Sequence, residues 1–385
     1  MASFVRVRNP INADFIVIGA GIAGASVASW LAPHARVVVL EREQQPGYHA
    51  TGRSAALFME GYGTPQVRAL TRASRGFLEH PPHGFADHLL LTPRGALFVA
   101  TETQRELLEQ HWELLLSNKT NGRRMSSSET CALVSVLRPE CVSGSVYETD
   151  AFDIDVHALH QGYLRAMGRA GGTLVCNADV VAIERAGAEW TVHAAGSIYR
   201  TPVVINAAGA WVDAVARLAG VSPIGIEPRR RSAFIFSPPE ALDCSGWPMF
   251  FGAAQDWYIK PEAGMLLGSP ANADPVEPQD VQAEELDIAL AIHRIEQMTT
   301  LSIRRPHKIW AGLRSFVADG DLVGGYDATQ AGFFWLAAQG GYGIQTSAAM
   351  GEACAALARR LPIPNHISDV GLDAAMLSPT RLRSN

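Results

Sequence analysis

The first regular pattern in the chain is a four-residue apolar run, Phe15 to Ile18, that leads into Gly19-Ala20-Gly21-Ile22-Ala23-Gly24. A small-residue helical stretch follows, broken at Pro33. A second strand-like run, Arg36 to Leu40 with Val37 to Leu40 apolar, ends on Glu41. Short continuous apolar runs on either side of a helical period predict a βαβ unit. Further along, apolar spacing predicts helices over 66–80 and 102–115, the second with Leu107, Leu108 and Leu115 inward. Ser126 and Glu129 have capping-box spacing for a short helix, and Asp155 caps a helix that stops at Gly171-Gly172. Strands are expected over 173–184, 189–194, 197–200 and 203–206.

From residue 227 the pattern changes. Strands at 231–236, 256–260 and 265–268 and a helix at 281–297 predict an antiparallel sheet with a covering helix. The chain then returns through 309–325, a strand at 333–337 and a final helix from Ile344 to Arg360. These elements predict an α/β, two-domain fold. A Rossmann-like domain takes 1–83, 146–226 and 309–385, and an inserted antiparallel-sheet domain takes 84–145 and 227–308.

Composition narrows the function classes. The 385 residues exceed one ordinary core. A formal charge of -6 with one dense basic run, Arg229-Arg230-Arg231, argues against nucleic acid as a partner. The 5 cysteines form no CxxC pair, and the histidines show no metal-ligand spacing, so no metal is expected. Residues 1–14 contain no apolar signal-like run, and 15–31 fit the βαβ unit better than a membrane span. The expected setting is cytoplasmic.

The βαβ unit carries candidate chemistry. Gly19 allows the tight turn, Gly21 allows a pyrophosphate to approach the backbone, and Gly24 allows close packing of helix on strand. The free N–H groups of the helix start favour phosphate, while Glu41, twenty positions after Gly21, suits ribose hydroxyls. A glycine-bearing strand end recurs at Asn206-Ala207-Ala208-Gly209-Ala210-Trp211, and Gly340-Gly341-Tyr342-Gly343 precedes the last helix.

Together with ATGRSAA (50–56), WAGLRS (310–315) and AAQGGYGIQTSAAMGEA, these motifs resemble the FAD-dependent amine and amino-acid oxidoreductases of the D-amino-acid oxidase superfamily. Bacterial D-arginine dehydrogenases are the nearest likeness. The resemblance implies FAD at Gly19, Gly21, Ala23 and Gly24, with Glu41 and Arg42 at the adenosine ribose and Val180 at the adenine. Ala50, Thr51, Gly52, Arg53, Ser54, Ala55, Ala56 and Leu57 would run along the flavin. Ala208 and Gly209 would approach it, and Gly341, Tyr342, Gly343, Ile344, Gln345 and Thr346 would close over the ring. A helix starting after Gly343 would aim its positive end there.

By the same resemblance, Arg231 and Arg314 bind the substrate carboxylate with help from the Tyr62 and Tyr258 hydroxyls, and Tyr62 sits in a lid-like GYG loop. A planar guanidinium fork suits a carboxylate. The implied reaction moves a hydride from Cα of a D-amino acid to flavin. It gives an imino acid that water converts to keto acid and ammonia, and electrons pass on to a quinone or other carrier. Arginine-preferring relatives carry a histidine where this chain has Leu57. They also carry a glutamate just after a Pro-Arg turn, where this chain has Gly95 and Ala96. With Leu57, Ala96 and Gly341 at the pocket, neutral or apolar D-amino acids are expected to be preferred, unless Glu60 replaces the missing charge. Two readings compete: an enzyme of secondary amino acids such as sarcosine, proline derivatives or opines, and a nucleotide-binding scaffold that no longer turns over.

Overall fold

The computed structural model describes residues 10–240 and 242–383. The amino-terminal stretch 1–9, part of the segment read above as lacking a signal-like run, lies outside the described residues. A six-stranded sheet runs in the order Thr173–Val175, Val37–Leu40, Phe15–Ile18, Val203–Asn206, Phe333–Ala337 and Val323–Tyr326. The first five strands are parallel and the last is antiparallel. Buried on both faces, such strands must be apolar at consecutive positions. Accordingly Phe15, Val17, Val37 and Val39 enter one core with Ala28 and Leu31 of the helix Ile22–Leu31 and Met350 and Ala353 of the helix Ser347–Ala358. Ile16, Ile18, Val38 and Leu40 enter the opposite core, closed by Trp190 and Val192. Each large aliphatic side chain buried this way contributes roughly 1.5–3 kcal/mol.

Trp190 and Val192 belong to a four-stranded sheet made by Ile11–Asn12, Ser197–Thr201, Glu189–Ala194 and Val180–Ala186. The run 173–184, expected as one strand, is therefore two strands in two sheets. The chain turns between them at Asn177, which has φ 51°, a left-handed conformation that asparagine tolerates.

The larger sheet draws strands from both inserted segments. Its order is Asp274–Pro275, Glu227–Phe236, Met265–Ser269, Tyr258–Glu262, Met249–Gly252, Ala96–Ala100, Gly144–Glu148 and Gly122–Ser126. All of its pairings are antiparallel except Met249–Gly252 with Ala96–Ala100. The helix Glu285–Met298 covers one face, packing Ile288, Ala291 and Ile295 against Phe234, Ile259 and Leu266. On the other side the helix Arg105–Ser117 buries Leu115, while Leu107, expected inward, is 39% exposed.

One pairing differs from the division at residue 308. The strand Lys308–Phe316 lies along Glu227–Phe236 over its whole length, so it extends the large sheet before the chain re-enters the parallel one. The physical reason is length. A nine-residue strand alternating buried and half-buried positions matches a long antiparallel neighbour, whereas the parallel sheet takes short, fully buried strands.

Candidate active site

At the first strand-to-helix turn, the glycines are needed for close backbone approach. Gly19 has φ 100°, and a Cβ there would lie 2.6 Å from the Ala207 carbonyl oxygen. A Cβ on Gly24 would lie 1.9 Å from the Gly19 carbonyl oxygen, so helix and turn touch there backbone to backbone. Ala20 between them is tied on both sides. Its N–H donates to Glu41 Oε2 at 2.7 Å, and its carbonyl accepts from His160 Nε2 at 2.9 Å. Thr51 Oγ1 accepts the Ile22 N–H at 2.9 Å. Among the described residues the N–H groups of Gly21 and Ala23 have no intramolecular acceptor, and both residues line the cleft.

That cleft, ≈ 1110 Å³ at the carboxyl edge of the parallel sheet, is also lined by Glu41, Arg42, Ala50, Thr51, Val180, Ala208 and Gly209. The Arg42 guanidinium lies 4.3 Å from the Trp211 ring centroid at its mouth. A second cavity of ≈ 650 Å³ continues from it through Ala50, Thr51, Leu313 and Gly340, and adds Arg53, Ser54, Ala55, Gly343 and Ile344. A third, ≈ 720 Å³, opens from the second across Ser54, Ala55, Arg231, Tyr258, Arg314 and Gly341, and adds Ala56, Leu57 and Tyr62. The result is an elongated path with a phosphate-seeking turn at one end and two arginines at the other.

Strand alternation selects the arginines. Within Arg229-Arg230-Arg231, Arg230 faces away from the cavity and pairs with Glu284, with Asp287 at 3.2 Å and with Asp274 at 3.5 Å. Arg229 faces the other way, over the Phe316 ring at 5.1 Å. Arg231 shares that face and reaches the cavity, its Nε donating to the Asn272 carbonyl at 2.6 Å. Arg314 is on the adjacent strand, opposite Arg229. Its Nη1 meets the Tyr62 hydroxyl at 3.4 Å, and a Cβ on Gly341 would lie 2.8 Å from that same nitrogen. A side chain at position 341 would therefore push the Arg314 guanidinium aside. Burial, and then the nearby Arg314 charge, depress the pKa of Arg231. Among the described residues neither arginine has a carboxylate partner. Tyr258 is buried on the cavity face, while Trp257 enters the opposite core.

Several expected residues lie elsewhere. Glu60 is ion-paired with Arg75 at 2.6 Å and does not line the substrate cavity, so it supplies no charge there. Ala96 is fully buried beneath the cavity, and it is Phe98, two residues on and on the same face, that reaches it. Gly52 borders a neighbouring surface groove, and Gly24 serves packing. Tyr342 packs against Tyr62 and Phe316. Gln345 donates to Thr71 Oγ1 at 2.9 Å and Thr346 to the Tyr342 carbonyl at 2.9 Å, both turned into the interior. The helix expected to begin at Ile344 begins at Ser347, and the short helices Asn365–Ser368 and Ala374–Leu377 follow it. Glycine-rich 340–343 forms turns instead, with Gly340 at φ 51°, so a loop and not a helix end borders the cavity.

The sequence reading omitted Met59, Phe98, Met249, Phe251, Gln255 and Ala271, which line the third cavity. For Phe98, Met249 and Phe251 a period-2 signal existed, since cross-strand register places Phe98 beside Phe251.

A parallel sheet with a glycine turn that bares N–H groups to a long cleft, beside a large mixed sheet, is the architecture of a dinucleotide-binding protein. The chain belongs to the family described as DAO, FAD dependent oxidoreductase, matched over residues 14–357. FAD is its cofactor, and the bared N–H groups, the glycine approach and the long cleft fit it. The chain is 25% identical to FAD-dependent oxidoreductase domain-containing protein 1 of Xenopus laevis over 413 aligned residues, covering 90% of this chain and 79% of that one. Its fold is similar to glycine oxidase from Geobacillus kaustophilus, with TM-score 0.83, 21% identity and coverage of 96% and 99%. It is also similar to L-proline dehydrogenase from P. horikoshii, with TM-score 0.81, 18% identity and coverage of 97% and 98%. Among the described residues no helix is long and apolar enough to cross a membrane.

Proposed function

We propose that this chain oxidises D-amino acids with neutral or apolar side chains to 2-imino acids, which hydrolyse to 2-keto acids and ammonia. The observation that carries the proposal is the pair of guanidinium groups, Arg231 and Arg314, facing one cavity with no carboxylate of the described residues beside them. Two such cations call for an anionic ligand group, and a carboxylate accepts a planar fork through two charge-assisted bonds. The Tyr62 and Tyr258 hydroxyls supply further donors at the same point.

In this reading Gly19, Gly21, Ala23, Glu41, Arg42, Ala50, Thr51 and Val180 hold the adenosine and pyrophosphate of FAD. Arg53, Ser54, Ala55, Gly341, Gly343 and Ile344 border its ring. When bound, FAD supplies the acceptor for the hydride that leaves the substrate Cα. The chain's own work is orientation. Arg231 and Arg314 fix the carboxylate, and the wall of Leu57, Met59, Phe98, Met249 and Phe251 takes an apolar side chain and excludes water. Handedness is supported by the sequence resemblance to D-amino-acid enzymes. The substrate domain comprises 84–145 and 227–308, extended by the strand that ends at Phe316. The electron acceptor is a quinone or another carrier.

Anaerobic mixing of the FAD-loaded protein with D- and L-amino acids tests the proposal. D-leucine, D-methionine and D-phenylalanine should bleach the flavin band with release of ammonia. Bleaching by the L-series alone, or by none, would overturn it. The same clamp suits a secondary amino acid, and the fold likeness to an L-proline dehydrogenase supports that second reading. Faster bleaching by sarcosine or proline would select it.

A further inference from the structure

We infer that Glu148 is a positioning residue that holds the Tyr62 loop against Arg314, and thereby makes the grip on the substrate carboxylate depend on pH. The inference rests on reading Arg314 and Tyr62 as part of the carboxylate clamp. Glu148 ends the strand Gly144–Glu148, between Ala96 on one side and Gly122 on the other, and is fully buried. Its Oε1 accepts the Gly61 N–H at 3.2 Å, and the Glu60 N–H faces the same carboxylate. Its Oε2 has no partner. A Cβ on Gly61 would lie 2.9 Å from Oε2 and 2.7 Å from Leu115 Cδ2, so the loop backbone is pressed directly onto the acid. The next residue, Tyr62, meets Arg314.

The charges around Glu148 are mostly its own sign. Glu60 faces it from the loop and Asp150 from the turn after its strand. His111 of the packed helix Arg105–Ser117 has its ring on Phe98 at 3.8 Å, and burial holds that imidazole neutral. On the neighbouring strand Arg123 lies over Tyr147, and Arg124 pairs with Glu109. Arg75, which reaches the loop through Glu60, is engaged by Glu60 and Glu79, and Arg68 donates to the Gly63 carbonyl and to Asn118 Oδ1. Burial first, and then these negative neighbours, push the Glu148 carboxyl up to about 7. Ionised, it takes the Gly61 N–H in a charge-assisted bond and attracts the Glu60 N–H that faces it. Protonated, it holds them less strongly and carries a hydroxyl with no acceptor at Oε2.

The test uses isocaproate, a carboxylate with the D-leucine skeleton and no amine, titrated into the FAD-loaded protein and followed by flavin absorbance. Wild type should bind it roughly fivefold more tightly above neutrality than below, with an inflection near pH 7. Glu148→Gln should bind at the weak, low-pH level throughout and lack the inflection. Its residues 59–63 should also exchange amide hydrogens faster than those of wild type at pH 8 (about one unit above the inflection). Glu60→Gln, which removes a like charge outside the cavity, should move the inflection to lower pH. An unchanged inflection in Glu148→Gln, or wild-type affinity that does not vary with pH, overturns the Glu148 inference alone. No binding of isocaproate to wild type at any pH overturns the carboxylate clamp itself.

Discussion

Replacing Arg314 with methionine keeps an unbranched side chain in the space beside Gly341 and removes the charged fork. The loss can be sized from its surroundings. Arg314 touches a tyrosine hydroxyl and a glycine and has no carboxylate partner among the described residues, so on the proposed function the substrate would supply the one ion pair it makes. Removing one member of a desolvated charge pair costs about 2–5 kcal/mol. Arg231 remains, and it is relieved of the charge that, after burial, depresses its own pKa, so the low-to-middle part of that range applies. About 3 kcal/mol corresponds to a roughly 150-fold fall in kcat/KM, at 1.4 kcal/mol per factor of ten. The rise should fall mainly on KM, because the carboxylate keeps its charge throughout the reaction. Arg231→Met should cost about tenfold, roughly 1.4 kcal/mol, since part of that guanidinium is committed to the Asn272 carbonyl. Steady-state kinetics with D-leucine and a dye acceptor, on protein with checked FAD content and Tm, gives the answer. Arg314→Met within a factor of about three of wild type (under 0.7 kcal/mol) would refute the reasoning.

Other expectations follow from the same geometry. D-arginine should trail D-leucine, D-methionine and D-phenylalanine in kcat/KM, because Glu60 is held by Arg75 and an unpaired guanidinium against Phe98 and Phe251 would cost about 2–5 kcal/mol. D-arginine leading the series would contradict this. Gly24→Ala should give colourless, less stable protein, since the new Cβ meets the Gly19 carbonyl at 1.9 Å and a backbone must shift; full FAD content and an unchanged Tm would refute it. His111 should dominate one part of the acid limb of stability. Burial lowers its pKa from 6.5 to about 4, so the unfolded chain binds its proton first and stability falls as pH drops from about 6.5 towards 4. The full effect is on the order of 3 kcal/mol. Denaturant midpoints of His111→Gln should fall less over that window than those of wild type, and an equal fall would remove His111 from the account.

Much of the fold and part of the site were legible because they follow local rules. GAGIAG with Glu41 carries its own geometry: Gly19 and Gly24 admit no Cβ, and Glu41 reaches back to the Ala20 N–H. Asp155 caps its helix as the sequence indicated. What could not be read depended on contacts distant in sequence. The assignment of Lys308–Phe316 to the large sheet depends on pairing with Glu227–Phe236, about eighty residues earlier. Glu60 looks free in sequence, and only the fold brings Arg75 to it. Glu148 and His111 look like ordinary surface residues of a strand end and a polar helix until Phe98, Leu115 and the Tyr62 loop enclose them. The helix expected from Ile344 starts three residues later, at Ser347, because the turns begun by the glycines at 340–343 carry on through Ile344, Gln345 and Thr346.

The claim on which the account turns is that the two arginines without an acidic partner hold the acid group of an amino-acid substrate. Comparing anaerobic flavin reduction by D-leucine with that by D-leucinamide, in which a neutral carboxamide replaces the carboxylate, at a pH where both amines are neutral, tests it most directly. The account predicts that the amide reduces the flavin at least about a hundredfold less efficiently, a loss of roughly 2.7 kcal/mol. Equal reduction by acid and amide would contradict it.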